Sequence, residues 1–249
     1  MEKQSERQER AGRGGYSRKG VWSGAALIFL IIPATLWGFW RIGSRNYYLL
    51  SVLLMFYTMA PFFLAFEKRK PQARELVVIA VMCALAVASR TAFIWAPHFK
   101  PMAGIIIITA IAFGPEAGFL TGAVSAFASD FIFGQGLWTP WQMFAFGAAG
   151  FLAGFLYQKG ILPKKPMPLA IFGFMMIVLV VGPLLDTSTF FMMGTGMGQV
   201  GAWAIYLSGF SVNVVHGTAV ALTLFLVSQP MFEKLDRIRI KYGMMEAGL

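Results

Sequence analysis

The stretch Ala112–Gly136, AFGPEAGFLTGAVSAFASDFIFGQG, decides how this chain must be built. It joins two apolar runs, roughly 101–113 and 117–133, through the pair Gly114-Pro115, and it leaves a single carboxylate, Asp130, near the end of the second run. Gly114, Gly118 and Gly122 recur every fourth position, which puts them on one helix face. Such strips of small residues let helices approach closely in lipid. The runs on either side are continuously apolar and do not alternate every second residue, which argues against a membrane β-barrel.

Working outward, composition sets the solvent. Hydrophobic residues make up 57% of the chain and charged residues 13%, against about 45–50% and about 25% in soluble domains. A crossing helix needs about 20 mostly apolar residues, and eight runs qualify as candidates: roughly 21–40, 47–66, 75–95, 101–113, 117–133, 141–157, 168–186 and 203–228. The fold class expected is therefore an all-α polytopic membrane protein of about eight spans. If both termini are cytoplasmic, 17 of the 21 Lys and Arg residues fall on the cytoplasmic side, in the tail 1–20, the linker 67–74, the turn 159–165 and the segment from Lys234. Arg41, Arg45, Arg90 and Lys100 fall opposite, the asymmetry of the positive-inside rule with an even number of spans.

The net charge of +10 is thus distributed as a membrane protein distributes it, and no nucleic-acid partner is expected. The basic tail reads as a solvated arm near anionic lipid. The run after it ends in Trp40 without a small-residue cleavage site, so it is expected to be retained and not removed as a signal peptide. The one cysteine, Cys83, excludes an internal disulfide or a multi-cysteine metal site. The pattern GMGQVG, Gly196–Gly201, has the glycine spacing of a dinucleotide fingerprint but no strand before it, and reads as a loop. GxxxxGK[ST], HExxH and GxSxG do not occur. The chain is expected to be a transport subunit and no enzyme, with no cofactor or metal of its own; any energy from ATP must come from another subunit.

Polar groups inside apolar runs are costly and usually mark cavities or pairs. Arg90, His98 and Lys100 end the third run or follow it, Asp130 ends the fifth and Asp186 the seventh. All approach the non-cytoplasmic face, where the loops 96–100, 134–140 and 187–202 also open. Asn213 and His216 lie deeper, three positions apart on one helix face. The loop GQGLWTPWQM, Gly134–Met143, adds Gln135, Trp138, Trp141 and Gln142, and Trp95 stands in the earlier loop. Charges of both signs and stackable rings at one mouth of a helical bundle are how small-molecule pockets are assembled. The substrate-binding candidates are Arg90, Trp95, His98, Lys100, Asp130, Gln135, Trp138, Trp141, Gln142, Asp186, Asn213 and His216. A plainer account has Arg90 paired with Asp130 or Asp186 as a structural ion pair and the tryptophans in an interfacial belt.

From Arg74 to Ser228 the chain resembles the substrate-binding S components of energy-coupling factor (ECF) vitamin transporters. The likeness rests on the alanine ladder AVMCALAVA and on Phe113-Gly114-Pro115, Gly118, Gly122, Ser129-Asp130 and Gly134. It implies a six-helix unit that captures a vitamin or precursor at the extracellular side, with loops 1–2, 3–4 and 5–6 around the ligand. It also implies that Ala80, Ala84 and Ala88 dock a transmembrane coupling subunit driven by two ATPase subunits, and that the loaded unit topples in the membrane as ATP is used. The segments FKPMAGIIIITAIAFGPEAGF and GQGLWTPWQMFAFGAAGFLAG look most like the cobalamin subgroup.

The resulting organisation is a basic tail (1–20), an additional helix pair (21–66) with Pro33 and Pro61, a linker (67–74), the six-helix unit (75–230) and a C-terminal tail (231–249). The added pair could guard the bundle, bind another subunit, or pack on the alanine strip. The alternative function is a stand-alone secondary transporter or channel for a small polar solute, with Arg90, Asp130 and His216 as a proton relay.

Overall fold

A computed structural model describes residues 47–68, 71–193 and 198–243. They form α1 (Tyr47–Lys68), α2 (Ala73–Ala92), α3 (Met102–Phe113), α4 (Pro115–Phe133), α5 (Thr139–Gln158), α6 (Pro166–Met176), a π-helical turn (Ile177–Val181), α7 (Gly182–Met193) and α8 (Gly198–Lys241), with no strand among the described residues. From α6 to α7 the helix is unbroken over Pro166–Met193, so α2 to α8 make six rods. Three of these rods, α2, Pro166–Met193 and most of α8, are long and apolar enough to cross a membrane. The chain is a multi-pass helical membrane protein. The first expected span, 21–40, with its Pro33, lies outside the described residues, as do the tail 1–20 and Arg41 and Arg45.

The organising element is the shortest rod. α3 is apolar on every side, and every one of its 12 residues is buried, as an all-round hydrophobic helix must be. At 1.5 Å per residue it is about 18 Å long, short of the ~30 Å hydrocarbon core, and it serves as the axis on which the others pack. Only Gly114 separates it from α4. Gly114 holds φ +98°, open to glycine at little cost, and Pro115 then starts α4 at the position where its missing N–H costs nothing.

The glycine strips are internal. A Cβ on Gly118 would strike the backbone of Gly150, one on Gly122 the backbone of Phe146 and Gly147, and one on Gly154 that of Pro115. α4 and α5 therefore approach backbone to backbone. The alanine strip behaves oppositely. Ile79, Met82, Cys83, Ala86 and Arg90 form the buried face of α2, while Ala80, Ala84 and Ala88 are all exposed.

Three expected boundaries move. α2 stops at Ala92, so its loop begins at Phe93 instead of 96. The expected loop 187–202 is mostly helix: α7 continues to Met193, and α8 begins at Gly198, so the last four residues of GMGQVG open a helix. α8 then runs through Pro230 to Lys241, and most of the expected tail from 231 is helical. At this end Lys164 pairs with Asp236 at 2.7 Å and Arg74 donates to the carbonyl of Tyr242 at 2.6 Å. These contacts bring the linker, the 159–165 turn and the C-terminal segment together at one end of the bundle.

α1 lies on α4, α5 and α7, away from the alanine strip. Phe62 stacks on Phe119 with ring centroids 4.0 Å apart and meets Phe151 edge-on at 5.0 Å. Met55 and Met59 are buried among Phe119, Trp141 and Phe144.

Candidate substrate site

At the end of the bundle away from Lys164 and Asp236, three helix ends are clamped together. Arg90, in the last turn of α2, contacts Asp130 Oδ1 on α4 through Nη1 at 3.2 Å and also donates to the Ser129 hydroxyl. The Thr139 hydroxyl, at the start of α5, donates to Asp130 Oδ2 at 2.8 Å and accepts the Gly136 N–H at 3.2 Å. Both carboxylate oxygens are thus occupied, as burial of a charge requires. The Phe133 ring receives the Arg90 guanidinium at 4.4 Å and the Lys100 ammonium at 4.8 Å. In its loop, Lys100 is held below the usual lysine range, first by burial and then by Arg90, with Asp130 opposing.

A second polar centre joins α7 to α8. Asn213 donates to Asp186 Oδ2 at 2.9 Å. Gly182 makes room for the Asn213 side chain and Gly209 for the Asp186 carboxylate. Thr187 and Tyr206 share a hydrogen bond of 2.8 Å. His216 sits against Phe146 at 5.9 Å, and its Nε2 is buried without a partner.

Between the start of α5 and α7 lies a cavity of about 300 Å³ lined by Trp138, Gln142, Leu185, Ser188, Thr189 and Met192. Trp138, which caps the start of α5, and Gln142 are one helical turn apart. The other four follow the i, i+3, i+4, i+7 face of α7. Among the described residues no charged side chain lines the cavity. Its polar groups are largely turned to local partners: Ser188 donates to Met192 Sδ at 3.8 Å and Thr189 to the Leu185 carbonyl at 3.2 Å. The exception is Gln142, whose Oε1 is buried with no partner.

The twelve candidates therefore share one end of the bundle or the helices leading to it, but not one cavity. Trp138 and Gln142 line it. Trp141 turns away to meet Phe191 at 5.9 Å. Arg90 and Asp130 form the clamp, with Lys100 over its phenylalanine, and Asp186 and Asn213 hold each other. Gln135 is exposed and reaches the Phe127 carbonyl at 3.5 Å. Trp95, also exposed, donates to the Ala92 carbonyl at 3.1 Å. His98 is exposed with φ +62°. Leu185, Ser188, Thr189 and Met192 escaped the sequence reading. Their helical spacing is visible in the sequence, but only if the helix is continued past Asp186.

With this geometry in place, the chain can be compared with known proteins. The family model of the ECF-type riboflavin transporter S component matches residues 70–231. A UPF0397 protein from Vibrio atlanticus (strain LGP32) is 29% identical over 109 residues, a match that covers 39% of this chain and 59% of that relative. No solved structure matches the chain.

Proposed function

The chain belongs to the family of ECF-type riboflavin transporter S components, and from that premise we propose that it is the substrate-capturing subunit of an ECF importer for a compact, uncharged, planar vitamin such as riboflavin. The observation that carries this reading is the cavity at the start of α5. Its described lining is uncharged, it offers the Trp138 ring for stacking, and its wall includes Gln142, whose Oε1 is buried without a donor. An unpaired buried acceptor costs about 1–3 kcal/mol, which a ligand N–H would recover once the Gln142 amide turns toward the cavity. At about 300 Å³ the cavity is at the lower end of the range for drug-sized ligands, which favours riboflavin over the much larger cobalamin. The charge asymmetry supports capture on the non-cytoplasmic side, with both termini cytoplasmic. The exposed strip Ala80, Ala84 and Ala88 supports docking to a coupling subunit that works with two ATPase subunits.

The test is quenching of riboflavin fluorescence by the purified chain, with cyanocobalamin as competitor. Gln142→Leu should weaken riboflavin binding about tenfold, from the ~1.5 kcal/mol of one hydrogen bond, while leaving thermal stability unchanged or higher, because it removes an unsatisfied acceptor. Unaltered affinity in this variant removes Gln142 from the site. Uptake by the chain alone, without ATPases, would point to the stand-alone transporter.

A further inference from the structure

α1 precedes the family match, which begins at residue 70, yet it is built into the surroundings of the cavity. Each helix that lines the cavity carries two neighbouring stripes. On α7, Leu185, Ser188, Thr189 and Met192 face the cavity, while Leu184 and Phe191 pack into the cluster of Met55 and Met59. On α5, Trp138 and Gln142 face the cavity, while Trp141 and Phe144 join the same α1 cluster. Successive residues on a helix are about 100° apart, so the stripes adjoin. α1 consequently lies over α4 and α5 and reaches α7 beside the cavity, and the Trp141–Phe191 contact at 5.9 Å bridges the α5–α7 seam. On the other side of α7, Asp186 is tied to α8 through Asn213.

We infer that α1 is a positioning wall of the cavity: Met55 and Met59 hold Trp141 and Phe191 across the α5–α7 seam and close the cavity to lipid on that side. α1 touches no ligand in this arrangement; it acts through Trp141 and Phe191. The affinity part of the claim rests on the proposed function, whereas the closure part does not.

The experiment uses the full chain in lipid nanodiscs, with Cys83→Ala and Ser188→Cys leaving one thiol in the cavity. A charged maleimide reports access from water, and pyrene maleimide reports access from lipid. With α1 intact, the charged reagent reacts, riboflavin slows it, and pyrene maleimide reacts slowly. Met59→Ala should speed pyrene labelling by at least about tenfold, as a core Met→Ala cavity lowers the cost of local opening, and should raise the riboflavin Kd. Met59→Leu should restore both. An unchanged pyrene rate in a folded Met59→Ala chain overturns the wall. Should Met59→Ala not yield a monodisperse chain, Met59→Val and Met55→Val with the same reagent give the same decision. If riboflavin fails to slow the charged reagent, the ligand assignment fails while the lipid-side rates still decide the wall.

Discussion

The Arg90–Asp130 pair offers a sharp division between a structural and a ligand-contacting role. Asp130→Leu leaves the Arg90 guanidinium buried with only the Ser129 hydroxyl and the Phe133 face as company. Removing one partner of a buried pair costs about 3–5 kcal/mol. At ~2–4 °C per kcal/mol for a chain of this size, even the lower figure lowers Tm by about 6–12 °C. Arg90→Met should cost similarly, since Asp130 is then a buried carboxylate with only Thr139 as donor. The double variant Arg90→Met/Asp130→Leu should lose only about 1–2 kcal/mol, the bonds to the Ser129 and Thr139 hydroxyls, because replacing a buried pair by apolar groups of similar size is often neutral or better. The assay is a thermal melt of the detergent-purified chain followed by size-exclusion fluorescence, read as a double-mutant cycle. Additive losses would show that the two side chains do not stabilise each other. Loss of riboflavin binding by the folded double variant would refute the structural role and put the pair back in the substrate site.

Two further outcomes test the packing and the partner surface. Gly122→Ala places a Cβ on the backbone of Phe146 and Gly147, where no side chain can give way, and overpacking should cost about 1–3 kcal/mol, seen as a lower Tm in the same melt. Ala84→Trp, on the exposed face of α2, should leave riboflavin binding intact while abolishing uptake in cells that carry the coupling and ATPase subunits; a parallel loss of binding would make the strip part of the unit's own packing.

What could be read from the sequence followed from patterns that have a single physical solution. Continuous apolar runs placed the helices, and the four-residue glycine spacing marked a face of close approach, which the fold shows to be that of α4 against α5. The distinction between that strip and the alanines was harder, because small residues suit an internal seam and a docking face equally. Only the fold shows that Gly118 meets Gly150 while Ala84 is exposed. The cavity was half legible. Trp138 and Gln142 stood out as polar and aromatic groups beside an apolar run, but Asp186 followed by Thr187, Ser188 and Thr189 reads as a helix end. In the fold these threonines donate to carbonyls one turn back, Thr187 to Pro183 at 2.6 Å and Thr189 to Leu185, so polar residues continue the helix without demanding water. The π-turn at Ile177–Val181 has no comparable signature in its uniformly apolar residues.

The added helix changes what any rigid-body motion of the unit must carry. A part that rocks within the membrane has to move with whatever is packed on it, and α1 is fastened to α4 and α5 by the Phe62–Phe119 stack and the buried Met55 and Met59. Sliding that interface apart would expose a large fraction of side chains that are 5% or less accessible in Met55 and Met59, and close packing of this kind resists continuous deformation. α1 therefore travels with the six-helix unit, while the alanine strip lies on another face of the described bundle. The division of labour follows: α1 on the α4–α5–α7 face keeps the cavity closed sideways, and α2 carries an exposed ladder of alanines that a second membrane protein could approach closely.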